Sequence, residues 1–133
     1  MKNLFKMASL SALCFLFASC EEERYGNEIQ SVDKIAIDSI KIVNDTMDVF
    51  SVQSIQTFSN YASGCQGFYD YDYVRDGFTR TVTAYQYNVD GPCTMATHTE
   101  KSQFNFQPQQ IGTYTFKFWK GGTDYITQTI VVK

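Results

Sequence analysis

From Lys34 to the C-terminus, apolar side chains recur at every second position, and short glycine-bearing turns break the pattern into runs. A two-residue period sends successive side chains to opposite faces of an extended chain, so each run buries one face and leaves the other to water. Val, Ile, Thr, Tyr and Phe dominate these runs and suit a pleated, half-buried surface. Lys34 to Val43 carries Ile35 and Ile37, then Ile40 and Ile42, two pairs out of phase, which predicts a bulge or a change of sheet near Ser39. Asn44-Asp45-Thr46 reads as a turn, Met47 to Phe58 as a second strand, and Ser59 to Gly64 as a loop. Gly67 to Arg75 alternates up to Asp76-Gly77, the strongest hairpin signal in the chain, and Phe78 to Val89 returns from it. Asp90-Gly91-Pro92 opens a polar stretch to Ser102, followed by short strands at Gln103–Gln107 and Thr113–Trp119. Gly121-Gly122 closes the last hairpin, and Tyr125 to Val132 is the final strand. No helical period is visible after the leader, so the expectation is all-β, a sandwich of about seven antiparallel strands.

The N-terminus has a different logic. Lys2 and Lys6 precede the apolar run Met7 to Phe17, which ends at Ala18-Ser19-Cys20. This is the layout of a secretory signal, and a run of about 11 residues is too short to span a bilayer, which needs roughly 20. Phe17-Ala18-Ser19-Cys20 resembles the lipobox of bacterial lipoproteins, with Phe17 where Leu is usual; an ordinary secretory signal cut at an Ala-Ser site is the alternative. The resemblance implies that Cys20 becomes the acylated N-terminus, carrying palmitate-type chains. Glu21-Glu22-Glu23 resembles the acidic export tract of Bacteroidota surface lipoproteins. Together these imply a chain anchored by lipid to the outer membrane and exposed at the cell surface; a plain acidic tether facing the periplasm is the alternative. The expected organisation is a signal at 1–19, a flexible acidic tether at 20–33 and one β domain at 34–133. The tether has only Ile29 and Val32 as aliphatic residues.

Loss of residues 1–19 removes Lys2 and Lys6 but no acid, leaving nine basic residues against the 14 acidic ones. Without a Lys/Arg cluster the domain lacks the electrostatic footprint of a nucleic-acid binder. Cys14 departs with the signal and Cys20 takes the lipid, so Cys65 and Cys93 alone remain inside the domain. An oxidising compartment would bridge them, and closing such a loop adds roughly 3 kcal/mol on the chain-entropy model. Two free thiols are the alternative; two isolated cysteines and one histidine do not make a zinc site.

Gly112-Thr113-Tyr114 resembles the tyrosine corner of immunoglobulin-like domains, which implies a sandwich of that kind and a bond from Tyr114 to backbone upstream. Phe116 stands where antibody-type domains keep their second core cysteine, so any Cys65–Cys93 bridge lies away from the usual position between the sheets.

Catalytic signals are weak. His98, the only histidine, has no nucleophile motif beside it and reads as a solvated loop residue. Asp70, Asp72, Asp76 and Gly77 fail as a calcium loop, because Val74 and Arg75 occupy positions that need an oxygen ligand and a glycine. No metal and no cofactor is expected, and the chain does not read as an enzyme. Phe68-Tyr69-Asp70-Tyr71-Asp72-Tyr73 is the most unusual segment. Alternation places Tyr69, Tyr71 and Tyr73 on one face. They either pack in the core with their hydroxyls at the edge, or join Tyr85, Tyr87 or Trp119 in an exposed platform for sugar rings or a protein partner. Asp38-Ser39-Ile40 and Asp45-Thr46-Met47 resemble the O-glycan acceptor motif of exported Bacteroidota proteins, which marks Ser39 and Thr46 as acceptor candidates. The function expected is a non-enzymatic surface module binding a protein or glycan. The alternative is a periplasm-facing inhibitor or structural lipoprotein acting through the 90–102 loop.

Overall fold

The computed structural model describes residues 28–133, and these contain nine strands and no helix. In chain order they are β1 (Ile29–Ile35), β2 (Ser39–Ile42), β3 (Thr46–Met47), β4 (Gln53–Tyr61), β5 (Gln66–Asp76), β6 (Thr79–Val89), β7 (His98–Phe106), β8 (Gly112–Gly121) and β9 (Asp124–Val132). The chain is an all-β sandwich. One sheet has six strands, ordered β1-β6-β8-β9-β3 with β5 also on β6; the other has three, ordered β2-β4-β7. The strand count exceeds the seven or so expected, and two neighbour pairs, β3 with β9 and β6 with β8, run parallel.

The phase slip near Ser39 is a change of sheet. β1 pairs with β6 in the six-stranded sheet, Ile37 is fully buried at the crossing, and β2 pairs with β4 in the other. The stretch expected to be tether is strand from Ile29 onward. Composition misses this because backbone pairing of Ile29–Ile35 along Ala84–Val89 orders it with little apolar burial, Ile29 and Val32 remaining exposed. The expected strand Met47–Phe58 is also broken. Phe50 takes a φ of 65° in the turn between β3 and β4, donates its N–H to the Pro108 carbonyl at 2.8 Å, and stays exposed with Val52. The loop expected at Ser59–Gly64 starts later, since β4 runs on to Tyr61, and the polar stretch expected to reach Ser102 ends at Thr97, where β7 begins. Pairing of Gln53–Tyr61 with Phe106–His98 extends both strands. His98 is therefore a strand residue, half-buried and stacked on Tyr61 at 5.4 Å.

The core lies between the sheets. Tyr114, Phe116 and Phe118 of β8, Ile130 and Val132 of β9, Val82 and Ala84 of β6, and Ile55 and Phe106 of the second sheet bury the apolar sides of their strands. The Asp76-Gly77 turn forms, with Gly77 at φ 59°, a conformation that suits a residue without Cβ. It marks one pole of the sandwich, shared with the 107–111 connection that leads into β8. The N-terminal end of β1 lies at the other pole beside Val89, along with the Cys65–Cys93 disulfide, whose Cα atoms are 5.4 Å apart.

Candidate functional site

A three-stranded sheet cannot cover a six-stranded one, and the uncovered area lies beside β7. Among the described strands β7 pairs only with β4, so its second edge has no partner there, and the β5–β6 hairpin continues past it. The two approach at the near end, where the Phe68 N–H donates to Glu100 Oε2 at 3.1 Å. Towards the Gly77 pole they part around an open cleft of about 630 Å³.

The tyrosine segment sits at this boundary, but not as its alternation predicts. A register shift between Phe68 and Asp70 inserts an extra residue in β5, so Phe68, Tyr71 and Tyr73 face the core while Tyr69 is 51% exposed. Tyr69, Tyr71 and Tyr73 therefore share no single face and form no three-ring platform. Tyr71 spans the sandwich: its hydroxyl lies 2.6 Å from Thr57 Oγ1, and its ring meets Phe104 edge-on at 5.3 Å. Burial pushes its phenol above the usual range, opposed by the bonds with Thr57 and Ser102. Tyr61, against the same side of the core, is raised to about 12, first by burial and then by the nearby Glu100 charge.

Tyr73 and Phe104, 5.6 Å apart and half-buried, supply the apolar part of the cleft. The Arg75 guanidinium stands over Tyr73 at 5.7 Å, and that of Arg80 over Tyr114 at 5.1 Å. Arg80 Nη1 also donates to the Gly77 carbonyl at 2.6 Å and the Thr79 carbonyl at 3.1 Å, which fixes its direction. Burial raises the Tyr73 phenol, and the two arginines pull it back. Sequence reasoning singled out neither Arg75, Arg80 nor Phe104 as site residues. The available signal was the Asp76-Gly77 turn: with Asp76 opposite Thr79, the ladder puts Arg75 opposite Arg80.

Tyr85 and Trp119 lie elsewhere, on the outward face of the six-stranded sheet, opposite the buried side of their strands. Lys34 is the ladder partner of Tyr85, and its Nζ stands 5.5 Å over the Trp119 ring, joining the two in one patch. Trp119 Nε1 donates to the Gly122 carbonyl at 3.0 Å. Tyr87 packs across Gly67, where a Cβ would come within 2.5 Å of its hydroxyl. A second concavity of about 560 Å³ lies at the Gly77 pole, lined by Val49, Phe50, Phe78 and Ile111 with Gln109 and Gln110.

Ser39 and Thr46 are both exposed, each within a short strand rather than a free turn. Cys20 lies outside the described residues. Among the described residues no cluster of His, Cys, Asp or Glu could hold a metal ion.

A protein-family model described as the ORF11 beta-sandwich domain matches residues 55–132, from within β4 to the end of β9. No curated protein and no solved structure matches the chain.

Proposed function

The chain belongs to the ORF11 beta-sandwich domain family, and on that premise we propose that it is a non-enzymatic envelope module that binds a glycan or protein through the cleft beside β7. The observation that carries this reading is the cleft itself. It joins half-buried aromatic rings, oriented guanidinium groups and a rim of side-chain amides, the mixture of apolar surface and convergent polar groups that marks ligand sites. The lipobox and acidic tract support a lipid anchor at Cys20, in the outer membrane and facing outward. The polarity of the fold fits this arrangement. β1 starts at one pole, and the cleft opens towards the other.

Three measurements test the proposal. Metabolic labelling with an alkyne fatty acid is expected to tag the wild type and not Cys20→Ala, and protease shaving of intact cells is expected to remove the domain. Equal labelling of both proteins would refute the anchor, and protection from shaving would refute the outward orientation. A glycan array probed with the full chain tests the binding role, with Phe104→Ala expected to lose every hit that wild type gives.

A second reading, an inhibitor or structural lipoprotein acting through a loop, is favoured by one feature. The disulfide and the bond from the Gly64 N–H to the Thr94 carbonyl hold a strandless segment at 90–97 that presents Met95 at 85% exposure. That loop is at the tether pole, where a short tether would turn it towards the membrane.

A further inference from the structure

We propose that Arg75 and Arg80 form a clamp for the anionic substituent of an acidic oligosaccharide, the sugar ring lying against Tyr73 and Phe104. The inference rests on the binding role proposed above and specifies its ligand. Arg75 and Arg80 are ladder partners in the β5–β6 hairpin, so their side chains leave the same face directly opposite each other. Two cations in that relation repel and destabilise the pair of strands. Such a pair is ordinarily relieved by a neighbouring acid, yet among the described residues no Lys or Arg nitrogen lies within 4.0 Å of a carboxylate oxygen, the one contact of this kind being between the His98 ring and Glu100. Acidic residues outnumber basic ones in the chain, 14 to 11, yet among the described residues none lies within 4.0 Å of either guanidinium.

Both guanidinium groups are also oriented in advance. Each lies over an aromatic ring, and Arg80 is tied to the turn carbonyls, so less side-chain freedom is lost when an anion arrives. Planar guanidinium forks match carboxylate and sulfate oxygens, giving paired charge-assisted hydrogen bonds. The rest of the lining selects a sugar as the carrier. Asn105, Gln107, Gln109 and Gln110 offer donors and acceptors of the kind that hydroxyl groups take, while Tyr73 and Phe104 offer apolar surface to ring C–H groups. A volume of about 630 Å³ lies within the ordinary range for small-ligand sites.

The test is calorimetric titration of the full chain with four probes: tetragalacturonate, its fully methyl-esterified form, a sulfated heparin tetrasaccharide and hexaglutamate. Binding of tetragalacturonate or of the heparin tetrasaccharide is expected, weakening as salt is raised, with the ester bound at least tenfold more weakly than the free acid if carboxylate is the anion. The relative affinities of the two acidic sugars distinguish carboxylate from sulfate. Arg75→Gln and Arg80→Gln are each expected to lower affinity roughly tenfold to a hundredfold. Arg→Lys variants should recover only part of it, because they keep the charge without the fork. Thermal melting serves as the folding control: Arg75→Gln removes one member of a repelling pair and should melt no lower than wild type.

Equal binding of ester and free acid, or unchanged binding by both Gln variants, would overturn the clamp while leaving the cleft as a neutral-sugar site. Tighter binding of hexaglutamate than of either acidic sugar would overturn the choice of glycan. No binding to any probe would remove the clamp, and the binding role would then rest on the array alone.

Discussion

Tyr114 fulfils an expectation drawn from three residues of sequence. Its hydroxyl donates to the Gln110 carbonyl at 2.9 Å, four residues upstream, while its ring is buried between Phe78 at 5.0 Å and Phe106 at 5.1 Å. The bond pins the 107–111 connection to the start of β8 and so shapes one wall of the cleft. Tyr114→Phe keeps the ring and removes the donor. It should lower stability by about 1 kcal/mol, the net worth of a typical hydrogen bond, and urea denaturation would register this as a lower midpoint at unchanged slope. Tyr71 could not be resolved from sequence in the same way. Alternation left it either core or platform, and its bond to Thr57 depends on a contact between sheets that no local pattern encodes.

Among the elements, hairpins were the most legible. Asp76-Gly77 and Gly121-Gly122 both form turns where expected, with Gly77 at φ 59° and Gly122 at φ 55°, because the backbone angles a tight turn needs are written in the residues that permit them. The bulge in β5 and the break after β3 were hidden, since each depends on what a neighbouring strand offers. An extra residue at Phe68–Asp70 reverses the phase of the alternation, and with it the reading of the tyrosines. The break places Phe50 at φ 65°, a conformation costly for a bulky side chain, with 63% of its surface exposed. Phe50→Gly gives up little packing at that exposure. It is expected to raise stability by about 1 kcal/mol through relief of the strained angle, visible as a higher melting temperature. A lower one would mean that Phe50 packs against the pole more than its exposure indicates.

For the whole molecule, the sandwich and the Cys65–Cys93 disulfide were legible, because composition, period and an even pair of cysteines all act without regard to topology. The unequal division into six and three strands was not. It follows from the change of sheet at Ile37 and the parallel pairing of β6 with β8, both long-range events, and it is this inequality that opens the cleft. The Cys65–Cys93 bridge spans 28 residues, enclosing β5 and β6. Replacing both cysteines by alanine should cost roughly 3.5 kcal/mol on the chain-entropy model, measured as the difference in unfolding free energy from the oxidised wild type. Affinity at the cleft should hold in the folded fraction, since the bridge lies at the opposite pole.

The course of β1 has a mechanical consequence. A pull between the N-terminal end of β1 and a load held in the cleft acts along the strands, and the ladder bonds from Ile29–Ile35 to Val89–Ala84 lie across that direction. Force then loads the rungs of the ladder in shear, sharing the strain, instead of opening them one after another. It passes directly into β6, the strand that carries Arg80. The strand that composition assigned to a slack tether is thus placed to transmit tension from one end of the sandwich to the other.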